Sequence, residues 1–418
     1  MNLSYWLSRH FRVRRGSGSD VGALIAVIGV ALALLVLELS LAVSLGFKDE
    51  IRRKLAGFDA QVTVLPLYDP ATGGVMPWLE ATPELVSSIR NTLQDASVRL
   101  SIRQPGILKT DSDFHGIILH AHEALDPEEG FEFERSNIVS GRWPDFSSPH
   151  EKESIVLSRP VASQLGLKLG DKIYSNFFID GDIRARRHTL VGIYESFFGE
   201  YDRNIAYVSP ALLRSVASRD SLAAMRIDLR DIPFDDVESS ASRLYSALEM
   251  ATASGQLPGI YPVSDVERAD AVYFNWLSLL DTNVIVIFIL MLFVSGFTLV
   301  SSLFILILDR ISEIGILRAL GADGRMVSHV FVWMALRLTG LGMIIGNILG
   351  IGLILIQSLW HVVPLDPEMY YLAYVPVRMS WTGIILLNIG VLAASWILLV
   401  LPARLASRID PAKTMQYE

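Results

Sequence analysis

The chain of 418 residues contains no cysteine. Disulfides, thiolate metal sites and a cysteine nucleophile are thereby excluded. The absence does not identify a compartment. Charge is also scarce: Asp, Glu, Lys and Arg make up 19% of the residues, against about 25% in an ordinary soluble domain. The formal net charge is -8, which argues against a general nucleic-acid binder. Repeats and low-complexity segments are missing, and so are catalytic motifs. No serine sits in a G-x-S-x-G elbow. Gly166 to Lys172 (GLKLGDK) superficially resembles a phosphate loop. Its spacing differs from Walker A and no Ser or Thr follows the lysine, so a turn entering a strand is expected. His120-Ala121-His122-Glu123 lacks the i, i+4 spacing of a helical zinc pair, and two solvated histidines are the expectation. We assign no catalytic residue, metal ligand or cofactor to this chain. If ATP is used, the ATPase is another chain.

What the chain has is apolar residues, 51% of the total, concentrated in four blocks. These are Val21 to Leu45, Val284 to Leu308, Val327 to Gln357 around Arg337, and Gly383 to Leu401. A helix needs about 20 apolar residues to cross a ~30 Å hydrocarbon core. Helices satisfy their own backbone hydrogen bonds in lipid, so four transmembrane helices are expected. A cleaved signal peptide is the alternative for the first block. Its length and Glu38 argue against that. Lys and Arg set the orientation. Residues 1–20 carry Arg9, Arg12, Arg14 and Arg15; the 309–326 loop carries Arg310, Arg318 and Arg325; the 402–418 tail carries Arg404, Arg408 and Lys413. Loop 358–382 has only Arg378. Both termini are expected in the cytoplasm, with residues 46–283 outside.

That outer stretch holds 24 Lys and Arg against 35 Asp and Glu, so it is acidic. It reads as a mixed α/β domain. Gln61–Leu65, Ser154–Leu157, Lys172–Phe178, His188–Tyr194 and Asn204–Val208 have strand composition, with Asp180-Gly181 as a hairpin turn. Thr82–Leu93 and Val237–Leu248 read as helices, the first with a Thr-Pro-Glu start. Phe47, Ile51 and Leu55 form an apolar stripe after the first span. Val266, Ala269, Tyr273 and Trp276 form another before the second. Together they predict helical stalks continuous with the spans.

Within the spans, Gly342, Gly346 and Gly350 recur at steps of four, as do Gly22/Ala26 and Gly29/Ala33. Such stripes let helix backbones approach in lipid. Glu38 is an ionisable residue in the outer third of a span, a functional candidate or a hydrogen-bond partner of a neighbouring helix. Arg337 is expected to snorkel. Trp6, Leu7 and Phe11 among arginines predict an interfacial helix in residues 1–20. Between spans two and three, Ser312 can cap a short amphipathic helix carrying Ile314, Leu317, Ala319 and Leu320, ended by Gly321. Lying on the membrane and docking into a partner remain equally open readings.

The stretch EIGILRALGA (Glu313 to Ala322) resembles the cytoplasmic coupling segment of FtsX/MacB-type ABC permeases. These have one span, a large extracytoplasmic domain, then three spans. GFKDEIRRKLAGFDAQVTV (Gly46 to Val64), SIVLSRPVASQLGLKLGDKI (Ser154 to Ile173), HTLVGIYESFFGEYDRNIAYV (His188 to Val208) and PARLASRIDPAKTMQYE (Pro402 to Glu418) resemble the LolC/LolE branch, the membrane subunits of lipoprotein-releasing transporters. An Asn commonly precedes the Gly-Phe in that branch; here it is Leu45.

The resemblance implies an integral membrane α-helical permease of the bacterial inner membrane with a mixed α/β periplasmic domain. Its segments run 1–20 (interfacial helix), 21–45 (span), 46–283 (stalk and periplasmic domain), 284–308 (span), 309–326 (coupling helix), 327–357 (span), 358–382 (periplasmic loop), 383–401 (span) and 402–418 (tail). It implies that Ser312, Glu313, Ile314, Gly315, Leu317, Arg318, Ala319, Leu320 and Gly321 dock on a cytoplasmic ABC ATPase dimer, which binds the ATP and magnesium. A second permease chain, identical or paralogous, is the other expected partner. Spans one and two would line a cavity for the acyl chains of a lipoprotein, with Glu38, Ala42, Val43, Gly46, Phe47, Leu277 and Leu280 as candidates. Each buried CH₂ is worth about 0.8 kcal/mol there. The hairpin Ser175 to Arg187, with Phe177, Phe178 and Ile179, matches one that hooks a periplasmic lipoprotein carrier. Two rivals are an efflux permease of the same superfamily and a non-transporting signalling subunit that controls cell-wall hydrolases.

Overall fold

A computed structural model describes residues 18–67, 77–110, 113–126, 131–179, 181–309, 315–316 and 320–406. The interfacial helix expected in residues 1–20 lies outside these, apart from a helix start at Gly18. So does the tail beyond residue 406. The chain divides into two units. One comprises the residues up to Asp49, Trp276–Pro364 and those from Tyr374 onward; the other comprises Glu50–Asn275 and Leu365–Ala373.

The helical unit contains four helices long and apolar enough to cross a membrane. They belong to Gly18–Asp59, Ala271–Asp309, Gly324–Trp360 and Trp381–Ala406. Their burial is inverted relative to a soluble bundle. Ala26, Val30, Ala33, Leu34 and Leu37 are buried, while Leu24, Ile25, Ile28 and Leu32 of the same helix are exposed. Phe293, Phe297, Ile344, Ile348 and Trp396 are exposed as well. An apolar surface of this extent needs lipid as its solvent. The core joins Val30, Leu34 and Leu37 to Leu299, Leu303, Phe331, Ala335 and Val391. Asn347 and Asn388 exchange side-chain hydrogen bonds of 2.8 and 2.9 Å between the third and fourth helices. Each also donates to the carbonyl four residues back, Met343 and Ile384.

The α/β unit has twelve strands among the described residues. They are β1 (Val62–Val64), β2 (Leu79–Glu80), β3 (Ser97–Lys109), β4 (Phe114–Ala124), β5 (Ile138–Gly141) and β6 (Ser154–Ser158), then β7 (Lys172–Ile179), β8 (Asp182–Tyr194), β9 (Ile205–Val208), β10 (Ala223–Ala224), β11 (Arg226–Arg230) and β12 (Val263–Asp265). All but β2 and β10 form one sheet in the order β12-β1-β11-β3-β4-β9-β6-β8-β5, with β7 joining β3 to β8. Strands β3, β4, β9, β6, β8 and β7 therefore pair in a ring. Ile102, Leu108, Leu119, Ile155, Leu157, Ile173, Phe177, Leu190 and Val208 from these strands form one buried cluster.

Ile179 pairs with Asp182, as the hairpin signal predicts, and Gly181 has the left-handed φ of +84° that such turns favour; Asp180 lies outside the described residues. The helix Pro83–Thr92 starts as its sequence predicts, with the Thr82 hydroxyl accepting from the Leu85 N–H at 3.3 Å. The stripe from Val266 to Trp276 is not one helix. Asp265 caps a short helix, Val266–Ala269, and the chain leaves helical geometry at Asp270 before Ala271–Asp309 begins.

Candidate functional site

The coupling segment is only partly described: Ser312, Glu313, Ile314, Leu317, Arg318 and Ala319 lie outside the described residues. Gly315 and Ile316 are helical, and the Leu320 N–H donates to the Ile316 carbonyl at 3.0 Å. Gly321 at φ +92° closes the turn, a conformation that glycine adopts without a Cβ penalty. Ile316 and Leu320 are exposed.

The glycine stripe of the third span helix lies on the first. A Cβ on Gly342 would stand 2.8 Å from the Val27 carbonyl oxygen, and one on Gly346 2.9 Å from that of Ala31. A Cβ on Gly350 would strike the Glu38 carboxylate. Glu38 is buried, and neither of its oxygens has a hydrogen-bond partner among the described residues. Gly22 and Gly29 meet the second helix instead, at Ile305 and Thr298.

The seven residues offered for acyl chains stand in different local settings on the first and second long helices. Glu38, Ala42 and Gly46 follow one face of the first helix. The Ala42 carbonyl accepts from the Arg378 N–H at 3.0 Å, and Gly46 lies against the backbone of Pro376 and Val377. Phe47 instead turns edge-on to Trp276, with ring centroids 5.5 Å apart, and Leu277 is buried. Val43 and Leu280 are half-buried.

The hairpin residues separate by strand alternation. Phe177 is fully buried in the sheet core and Ile179 packs against it, whereas Phe178 is 61% exposed. Phe177 is thus corrected from a surface contact to a core residue. Phe178 stands across from Ile183, which is also exposed. Tyr174 precedes it by four residues on the same strand and is exposed too.

His120 and His122 are likewise corrected. Both are buried on β4 rather than solvated. Burial, reinforced by the Arg103 and Arg230 guanidiniums, holds both imidazoles well below their usual pKa. No cluster of His, Cys, Asp and Glu suited to a metal occurs among the described residues.

Sequence reading missed how the end of the first long helix is held. Its last carbonyls lack intrahelical partners, and three strand arginines supply them. Arg230 donates to the Gly57 carbonyl at 2.8 Å, Arg103 to Phe58 at 2.8 Å and Arg226 to Asp59 at 2.7 Å. Arg103 also pairs with the Asp59 carboxylate at 2.6 Å, and the Tyr201 hydroxyl donates to that carboxylate. Cations at a helix C-terminus also oppose its dipole. Asp270, where the next helix is interrupted, accepts from Tyr201 at 3.4 Å. Burial raises the Asp270 carboxyl to about 6. No local spacing announces this joint, because the arginines stand up to 173 residues from the carbonyls they hold.

Four helices long and apolar enough to cross a membrane, with an α/β domain between the first and second in chain order, define a membrane protein with one large domain outside its spans. Residues 23–253 match the family model for a MacB-like periplasmic core domain, and residues 285–411 match the FtsX-like permease C-terminal model. The chain belongs to this family of ABC-transporter permeases with a MacB-like periplasmic core. It is 26% identical over 440 residues to the lipoprotein-releasing system transmembrane protein LolC of Xylella fastidiosa, covering 98% of this chain and 97% of that one. It is 24% identical over 435 residues to the transmembrane protein LolE of the same system in Haemophilus influenzae, covering 99% of each. The periplasmic region of MacB from Actinobacillus actinomycetemcomitans aligns with 52% of this chain and 94% of its own, at 12% identity and a TM-score of 0.34.

Proposed function

We propose that this chain is the permease subunit of an ABC machine that extracts lipoproteins from the outer leaflet of the bacterial inner membrane. It hands them to a periplasmic carrier, driven by ATP hydrolysis in a separate subunit. The observation that carries this reading is the end-to-end similarity to LolC and LolE, which spans the membrane helices and the α/β domain together. In this reading the termini are cytoplasmic, as the clustered arginines favour. The segment Ser312 to Gly321 docks on the ATPase dimer, and a second permease chain completes the membrane domain. ATP binding moves that segment. The arginine-held end of the first helix then carries the displacement into the sheet, because a capped and ion-paired terminus resists fraying.

The test is mild detergent extraction of the tagged chain, followed by mass spectrometry of the copurifying species. A separate ABC ATPase together with triacylated lipoproteins is the expected result. An ATPase accompanied by an outer-membrane duct or a wall hydrolase, without lipoproteins, would replace release by efflux or signalling.

A further inference from the structure

The loop between the third and fourth span helices belongs to the α/β unit over Leu365–Ala373. Its neck is tied on both sides. Val375 N–H donates to the Val363 carbonyl at 3.1 Å, and Leu365 N–H to Ala373 at 3.0 Å. Gln357, at the end of the third helix, accepts from Val363 N–H at 3.0 Å and donates to the Val375 carbonyl at 2.9 Å. These bonds close the loop at its neck.

The tip of the loop is held by one ammonium. Lys54 is buried on the first long helix, and its Nζ donates to the Ser196 carbonyl at 2.5 Å and to the Tyr371 carbonyl at 2.7 Å. The Tyr371 ring stacks on buried Phe198, with centroids 4.7 Å apart at 24°. Tyr273, which begins the second long helix, packs on Phe198 from another side at 5.3 Å. Phe197 and Tyr371 both hold left-handed backbone, at φ 62° and 60°. Bulky side chains adopt that region only where surrounding contacts impose it. Two such residues beside one buried lysine mark a joint held under tension.

We propose that the Leu365–Ala373 loop is a latch on the α/β domain, and that Lys54 is the positioning residue that keeps it closed. In the function proposed above, opening of this latch uncouples ATP hydrolysis from release. The contact rests on geometry alone; its consequence for release rests on the function proposed above. The lysine acts by charge-assisted hydrogen bonds to two carbonyls, which methionine of similar length cannot make.

The experiment compares wild type, Lys54→Met and Lys54→Arg in the full permease–ATPase complex in lipid nanodiscs. Hydrogen exchange of the 363–375 peptide reports the latch. The ratio of ATP hydrolysed to triacylated lipoprotein released reports coupling. Lys54→Met is expected to raise exchange in that peptide at least fivefold without changing β3, β4 or β8. The ATP-to-release ratio should rise several-fold, with Lys54→Arg close to wild type. Wild-type exchange in Lys54→Met overturns the latch. A loosened loop with an unchanged ratio overturns its role in coupling. A wild-type complex that releases no lipoprotein overturns the function proposed above, and the exchange comparison still decides the latch. Where Lys54→Met fails to assemble, Tyr371→Ala removes the stack from the loop side and carries the same comparison.

Discussion

His188 shows how a single buried base ties the α/β domain to pH. Its Nε2 lies 2.6 Å from the Ser175 hydroxyl, inside the sheet. Burial, with Arg186 nearby, lowers its pKa to about 4. The unfolded chain takes up the same proton near pH 6.5. Stability from the neutral folded imidazole is therefore complete above pH 6.5 and is lost as pH falls toward 4. At about 1.4 kcal/mol per pH unit, the loss reaches roughly 2 kcal/mol at pH 5. His120 and His122 act in the same direction. Asp202 opposes them. Burial raises its carboxyl to about 6, so its contribution is fullest in acid and gone above pH 6. Thermal unfolding of the full chain between pH 7.5 and 5 should show a falling midpoint. His188→Asn should be flatter than wild type by about 2 kcal/mol over that range. An unchanged slope would mean that His188 takes up its proton inside the fold.

At the scale of elements, the glycine stripe divides space that cannot be shared. Gly346 faces the Ala31 carbonyl and the Leu34 Cβ, at 2.9 and 3.1 Å from an added methyl. Backbone cannot move aside as a flexible side chain can, so the two helices must separate. Gly346→Ala should cost about 1–3 kcal/mol and lower the melting midpoint of the detergent-solubilised chain. Gly352→Ala in the same helix meets nothing within 4 Å and should be neutral or slightly stabilising. Equal effects would remove close approach as the reason for the stripe. The spacing of four was legible because helical periodicity is local. The partner helix was not, nor was the Asn347–Asn388 pair, whose members stand 41 residues apart. The long strand β3 escaped for a different reason. Pro105 and Gly106 sit inside it and ordinarily speak against a central strand. Here the β11 pairing ends at Ser101 and the β7 pairing begins at Ile107, so these residues fall where β3 exchanges partners. The stripe through Asp270 was read as one helix because its apolar spacing continues. The cap at Asp265 that starts a separate short helix carries no apolar signature.

At the scale of the molecule, layout and family were legible because apolar blocks and motif order are global properties of the chain. The joints were not, since Arg103, Arg226 and Arg230 become a cap for helix carbonyls only after the sheet has formed. The hairpin lies between these cases. Its turn could be read from Asp180-Gly181, but the direction of each aromatic depended on which face of β7 met the core. Hydrophobicity alone cannot phase three consecutive apolar residues. That phase now separates two roles within the proposed function. Phe177→Asp places a carboxylate in a packed core without a partner and should prevent folding. Phe178→Asp changes an exposed side chain, so the melting midpoint should stay within about 0.5 kcal/mol of wild type. It also puts a charge in the apolar surface shared with Ile183 and Tyr174. Transfer of a triacylated lipoprotein from the reconstituted complex to a soluble carrier should fall at least tenfold in Phe178→Asp, with ATP hydrolysis retained. Transfer at the wild-type rate in a folded Phe178→Asp complex would leave the hairpin a structural element and place carrier docking elsewhere on the domain.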